Sequence, residues 1–343
     1  MDRFSRQALT GLGLGATFGV VYNMAKSFAR RISFKDKVVL ISGGSRGLGL
    51  VLAKEFAKRG ASLVLLARNK DELLKAKEMI NADFPFTQCL TMACDSRNRK
   101  QVQEAIGEVI AHFGHLDAIV NNAGVIQTGP IENSSDADFK ESIDTHFWAS
   151  YNVIEESLPY LKQVDDARII NIGSIGGLIP VPHLAAYCAG KFALEGYSKT
   201  LHAELMKDNI HVTTVSPGLM RTGSIGQANF KGQPEKEYAW FSISSSLPGL
   251  TVSAEKAAKE IINASQSGKA ELIISWPAKL AVQFESLFPE MFADILSFTN
   301  ALLPGPGNSN EKRKGMNSHS KFSPSKITRL SEKAAQRNNE RSI

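Results

Sequence analysis

The sequence predicts an α/β protein built on one doubly wound, mostly parallel sheet of about seven strands with helices on both faces. Three observations predict it. Short β-branched or apolar runs alternate with stretches of helical composition from about residue 35 to 275, the signature of repeated βαβ units. The runs are apolar almost throughout, as strands are when both faces of a sheet are covered. The first of them leads through a glycine-rich turn directly into a helical segment.

In chain order the strand candidates are "KVVLIS" (37–42), "SLVLLA" (62–67), "FTQCLTMA" (86–93), "LDAIVNN" (116–122), "RIINIGS" (168–174), "IHVTTVS" (210–216) and "ELIIS" (271–275). Segments such as "LVLAKEFAKRG" (50–60) and "DELLKAKEMINA" (71–82) fill the intervals as helices. No internal repeat is visible. The chain divides into an apolar N-terminal segment (1–33), the α/β domain (34–275), an apolar helical extension (276–303) and a basic tail (304–343). The tail is rich in Gly, Pro, Ser, Asn and Lys, a composition that predicts disorder, with a short helix near "SEKAAQRNNE" as the exception.

Of 343 residues 43% are hydrophobic, enough for a large core, and the formal charge is +6. From 309 to 343 nine basic residues face three acidic ones, so the excess belongs to the tail and the body is neutral. No nucleic-acid-binding motif accompanies that charge, which argues against a nucleic-acid partner. Three cysteines without ligand spacing argue against a disulfide framework and a metal site, and fit a reducing compartment.

Two glycine-dense stretches compete for the role of phosphate cradle. "ISGGSRGLG" (41–49) lies between strand and helix, with Gly43, Gly47 and Gly49 spaced GxxxGxG. A tight turn and close backbone approach need residues without Cβ, and the helix N-terminus adds free N–H groups and a positive dipole end. "GLGLGATFG" (11–19) has no preceding strand, and its glycines fall at every fourth position along one helix face. The cradle is therefore 43–49, in a Rossmann-type arrangement. An acidic residue after the second strand would read a ribose 2′-hydroxyl, but here Ala67 is followed by Arg68, and Arg46 sits inside the turn. Paired guanidinium groups suit a 2′-phosphate, so the expected cofactor is NADP(H).

Further along stand "NIGSIGG" (171–177) and "YCAGK" (187–191). Tyr187 and Lys191 are four apart and share a helix face. An ammonium nearby would stabilise phenolate and lower the tyrosine pKa from its usual value of about 10, making Tyr187 a general acid or base.

With "SGGSRGLG", "NNAG" (121–124), "NIGS", "YCAGK" and "SPGLMRT" (216–222) in this order, the chain resembles the classical short-chain dehydrogenases/reductases over roughly 34–275. The resemblance implies that Gly43, Ser45, Arg46, Gly47 and Gly49 line the cofactor phosphates, with Arg68 on the 2′-phosphate and Asp95 on the adenine. It places Asn121, Ala123 and Gly124 beside the adenosine ribose, bracing the central strand, and closes Pro217, Gly218 and Thr222 over the nicotinamide. Ser174 would hold the substrate oxygen, Tyr187 would exchange its proton, and Lys191 would grip the nicotinamide ribose. The implied reaction is hydride transfer between nicotinamide and a carbonyl or alcohol carbon. His146 departs from the family, which commonly has Asn there; it either substitutes in the proton relay or is simply packed. His183, four before Tyr187, either faces the substrate or caps the helix entry.

Residues 7–25 are uncharged and, as a helix, long enough to approach the thickness of a hydrocarbon core. Lys26, Arg30 and Arg31 follow, so a membrane anchor with the enzyme on the cytoplasmic side is one reading, and a helix packed on the body or a second subunit the other. The run 281–303 is a core-packing, lid, dimer or interfacial segment, with core packing the default. Aromatic residues Tyr238, Trp240 and Phe241 in the segment after "SPGLMRTG" point to an apolar, lipid-like or steroid-like carbonyl substrate. The family implies a homo-oligomer. The rival to an enzyme is an idle NADP(H)-binding sensor or scaffold.

Overall fold

The computed structural model describes residue 25 and residues 28–247, 249–320, 325 and 328–340. The proposed anchor at 7–25 therefore lies outside the described residues, apart from its last position. No described helix is long and apolar enough to cross a membrane.

Seven strands form one parallel sheet: β1 (Val38–Ser42), β2 (Ser62–Ala67), β3 (Cys89–Ala93), β4 (Ala118–Asn121), β5 (Arg168–Ile172), β6 (His211–Pro217) and β7 (Glu271–Ile274). Their order is β7-β6-β5-β4-β1-β2-β3, and each coincides with an apolar run singled out in the sequence. The helices are α1 (Gly47–Ala57), α2 (Lys70–Asp83), α3 (Arg99–Phe113), α4 (Asp136–Ile143), α5 (Ala149–Leu161), α6 (Ala185–Leu205), α7 (Pro234–Ser244), α8 (Ala254–Gln266), α9 (Trp276–Leu287), α10 (Pro289–Leu302) and α11 (Arg329–Arg337).

Alternation along each strand sends successive side chains to opposite faces. Val39 and Ile41 of β1 pack with Phe56 of α1, Leu73 of α2 and Ile261 of α8. Val38 and Leu40 pack on the other face with Val102 of α3, Val153 of α5 and Leu201 of α6. The chain leaves β1 in opposite senses on its two sides, toward β2 and toward β4, which opens a crevice at the carboxyl ends of the strands. A buried polar chain ties the centre together. Asn121 donates to Asn171 (2.8 Å), Asn171 to Ser198 (2.8 Å), and Ser198 shares a 2.6 Å bond with Thr214.

Two segments differ from their sequence-based expectations. Within the stretch expected to be disordered, Ser309–Lys314 forms a strand antiparallel to Asn229–Gly232, while α11 falls where the short helix near "SEKAAQRNNE" was expected. The reason is tertiary. Lys312 bridges Asp138 (3.0 Å) and Glu141 on α4, while Lys231 reaches Asp138 at 2.6 Å. The second segment is 281–303. Core packing fails there: α9 and α10 bury Ala278 and Phe292 but leave Leu287, Phe288, Met291, Ile295, Phe298 and Leu302 exposed.

Candidate active site

A cleft of about 800 Å³ runs across the carboxyl ends of the strands, within the range of small-molecule sites. Of the residues expected to bind cofactor or substrate, it is lined by Gly43, Ser45, Arg46, Gly47, Arg68, Asp95, Ala123, Gly124, Tyr187, Lys191 and Thr222. Five others stand behind it. Gly49 packs α1 on the turn, since a Cβ there would strike the Gly43 carbonyl. Asn121 is spent on Asn171 inside the sheet. Pro217 ends β6 and Gly218 donates to the Ile274 carbonyl, facing Ser275. Ser174 opens the turn after β5, accepting from the Gly176 N–H at 3.1 Å, and hydrogen-bonds the Tyr187 phenol.

The turn after β1 has the shape a dinucleotide needs. Gly43 adopts φ 66° against the backbone of Ala123, where any side chain would collide. The hydroxyl of Ser42 accepts from the N–H groups of Asn122 (3.2 Å) and Ala123 (3.4 Å), joining β1 to the loop after β4. Asn122, which the motif reading passed over although it lies within "NNAG", donates to the Gly43 carbonyl at 3.0 Å and lines the cleft. Gly47, also at positive φ, begins α1 and donates its N–H to the Asn338 carbonyl at 2.8 Å.

The two arginines are not equivalent. Arg68 is exposed on the cleft rim. Arg46 is engaged by Glu72 at 3.0 Å and by Glu340 at 3.5 Å. Lys314 lines the same rim, its pKa lowered by burial and then by Arg46 and Arg68. A lysine arriving from the tail had no local sequence signal. Asp95 is also occupied, bridged to Arg97 at 2.6 Å.

At the other end stand Tyr187, Lys191 and His146. Lys191 donates to the Ile172 carbonyl at 2.8 Å and lies 5.9 Å from the Tyr187 ring centroid. Burial lowers the lysine to about 8, and Glu195 acts in the opposite direction. The expected drop in the tyrosine pKa does not occur. Burial pushes Tyr187 up to about 12, against the Ser174 hydrogen bond that lowers it. Desolvation of the phenolate outweighs an ammonium held at this distance by a backbone carbonyl.

His146 sits in a π-helical turn, Asp144–Trp148, between α4 and α5. Such single turns insert one residue and redirect a side chain, often at functional sites. It is 1% exposed, and burial, reinforced by Lys191, holds its pKa well below the usual value. The neutral ring donates Nε2–H to the Val125 carbonyl at 3.1 Å, so Nδ1 is left as a lone pair without a partner. Its ring stands edge-on to Tyr187 at 5.1 Å. A Cβ on Gly124 would strike it.

His183 does not line this cleft. It adopts φ 63°, and its Nδ1 pairs with Glu237 of α7 at 2.8 Å. Glu237 is fully buried and also accepts from the Trp240 indole at 2.7 Å. This bond fixes α7 against the entry to α6. Beside Tyr187 it leaves an apolar cluster of Leu184, Ile225, Phe230, Tyr238 and Phe241.

A seven-stranded parallel sheet with a glycine-rich turn at its crossover defines a Rossmann-type α/β fold. The family model for short chain dehydrogenase matches residues 37–231, and the chain belongs to that family. Among its relatives, SadH of Mycobacterium tuberculosis, named as an oxidoreductase, is 32% identical over 251 residues, 72% of this chain and 89% of that one. A fatty acyl-CoA reductase of Acinetobacter baylyi is 30% identical over 275 residues, covering 80% and 85%. The L-sorbose reductase of Gluconobacter frateurii, solved with NADPH and L-sorbose, superposes with a TM-score of 0.64 at 26% identity, covering 71% of this chain and 97% of that one.

Proposed function

We propose that the protein is an NADP(H)-dependent oxidoreductase that interconverts a carbonyl and a secondary alcohol on an apolar, lipid-like substrate. The observation that carries this reading is one cleft lined both by Tyr187 and Lys191 and by the cationic Arg46, Arg68 and Lys314. The residues fit a 2′-phosphorylated dinucleotide. The turn admits no side chain at Gly43, α1 presents its N-terminus, and Arg46, Arg68 and Lys314 share the rim. When bound, the nicotinamide supplies or accepts the hydride.

The chain's own groups handle the proton. In the reducing direction Tyr187 must start protonated, and a phenol held near 12 is protonated at neutral pH. It donates to the substrate oxygen as negative charge develops there, while the Ser174 hydroxyl bonds the same oxygen and aligns the phenol. Lys191, cationic below about 8, stabilises the tyrosinate left behind. The unpaired Nδ1 of neutral His146 is an acceptor at the cleft floor, where the family commonly has an amide. Gly47 and Ser45 would hold the pyrophosphate and Asp95 the adenine, once Arg97 yields. Thr222 would close over the nicotinamide.

The fatty acyl-CoA reductase among the relatives supports a hydrocarbon-rich substrate. The exposed apolar face of α9 and α10 supports burial against a second copy or at a membrane surface. The test is calorimetric titration of the full chain with NADPH and NADH, followed by turnover with a panel of aliphatic and steroid carbonyls. NADPH is expected to bind at least tenfold more tightly, and Arg68→Ala to weaken it by about 10- to 100-fold through loss of charge-assisted bonds. Equal affinity for the two cofactors, or tight NADPH binding without turnover of any carbonyl, would overturn the reading, the latter in favour of a sensor.

A further inference from the structure

We propose that the phosphate cradle is also a peptide-binding site, whose ligand is the chain's own C-terminal segment Asn338–Glu340, in competition with the cofactor. The inference rests on the reading that the cradle holds a dinucleotide.

Three consecutive polar residues at the end of a basic, polar segment are buried: Asn338, Asn339 and Glu340 are 2%, 7% and 5% exposed. Nothing apolar in them accounts for that. Their contacts do. The Gly47 N–H, the free donor at the start of α1, donates to the Asn338 carbonyl at 2.8 Å. The Asn339 side chain donates to the carbonyls of Ser45 (3.0 Å) and Glu72 (3.3 Å). The Glu340 carboxylate lies directly over Gly47, where an added Cβ would strike it, and beside the Arg46 guanidinium at 3.5 Å. A helix N-terminus next to a guanidinium is an anion site. The segment fills it with a carbonyl oxygen and a carboxylate.

Helix α11 delivers the segment. Ala335 packs against the backbone of Gly223, Ser331 bonds Ser246 at 2.8 Å, and Arg337 pairs with Glu255 at 2.5 Å. The same segment grips the loop beyond β6. Asn338 donates to the Thr222 carbonyl at 3.0 Å, and Gln227 donates to the Glu340 carbonyl at 3.2 Å. One peptide thus covers the phosphate end and restrains the loop on the nicotinamide side.

The occupant is displaceable. Glu340 Oε2 is buried without a hydrogen-bond partner. Burial pushes this carboxyl up to about 7, Glu72 pushes the same way, and Arg46 alone opposes them. The cofactor's pyrophosphate would place a phosphate anion on the Gly47 N–H and Arg46, charge that the site favours. Two anionic groups cannot share it, so every cofactor molecule binds only the fraction of protein whose tail has left, and apparent affinity falls by that fraction.

Hydrogen exchange of residues 329–340 and calorimetric NADPH binding, both on the full-length protein, test this. In the free protein the segment is expected to be protected, and saturating NADPH to release it. The double variant Asn339→Ala/Glu340→Ala is expected to lose that protection without cofactor and to bind NADPH about tenfold or more tightly than wild type; Glu340→Gln falls between them. Two results overturn the proposal. One is a segment already exchanging freely in the free protein. The other is a segment that stays protected with NADPH bound, its affinity unchanged in the variants; there the cofactor reading survives. If neither protein binds NADPH, that reading falls and the competition with it, whatever the exchange pattern.

Discussion

The chemistry of the site turns on which side chains carry protons at neutral pH. Burial keeps Tyr187 protonated and Lys191 close to losing its proton, shifting the two in opposite directions. The lysine titrates first, near 8 rather than at its usual value. Carbonyl reduction, which needs the ammonium beside the departing phenolic proton, should therefore decline as pH rises through about 8. A pH profile of kcat/KM from 6 to 10 checks this, and a plateau extending past 9.5 would count against it. His146 makes a separate prediction. Its Nε2–H satisfies the part-buried Val125 carbonyl, so His146→Leu should lose about 1 kcal/mol of stability by leaving that oxygen without its partner, measured by urea unfolding. YxxxK and NxGS were legible residue by residue, because they are local patterns. The raised tyrosine pKa was not, since desolvation depends on what surrounds the ring and not on spacing.

At the scale of elements, strands were easy to read and their supports were not. β1 and β5 are buried along their whole length, so their composition announces them. Arg168, which opens β5, is invisible as a structural residue in sequence. It is nonetheless 0% exposed, donating to the carbonyls of Arg30 (2.7 Å), Ser265 (2.9 Å), Asp166 and Ala167. These bonds tie the β5 start to the end of α8. Arg168→Ala should cost about 3–5 kcal/mol, because several buried carbonyls lose their donor at once; a midpoint in chemical denaturation indistinguishable from wild type would refute that role. Glu237 plays the analogous part on the substrate side, holding His183 and Trp240 together. Glu237→Leu should loosen α7 and raise KM for the carbonyl substrate severalfold while leaving NADPH affinity within about twofold. Helix α7 itself carries almost no apolar periodicity, so its register was not readable from sequence.

Across the whole molecule, the seven-stranded sheet was legible and the contacts of the tail were not. The composition of 304–343 predicts a solvated chain, and considered alone that holds. Its order comes from partners far away in sequence: Asp138 and Glu141 for Lys312, Gly47 and Ser45 for Asn338 and Asn339. No local pattern encodes contacts across some 290 residues of chain. The same limit explains why Lys314 and Glu340 were absent from the site read in sequence, although both line its cleft. The apolar face of α9 and α10 was noticed for its composition, yet which side it turned could only come from the fold.

The central claim is that Tyr187 transfers the substrate proton in a cleft built for NADP(H). NADPH consumption against a reducible aliphatic or steroid carbonyl, compared between wild type and Tyr187→Phe with cofactor affinity monitored in parallel, tests it most directly. The account predicts a fall in kcat of about 10²- to 10⁴-fold with NADPH binding unchanged. A Tyr187→Phe protein that turns over at more than a tenth of the wild-type rate would contradict it.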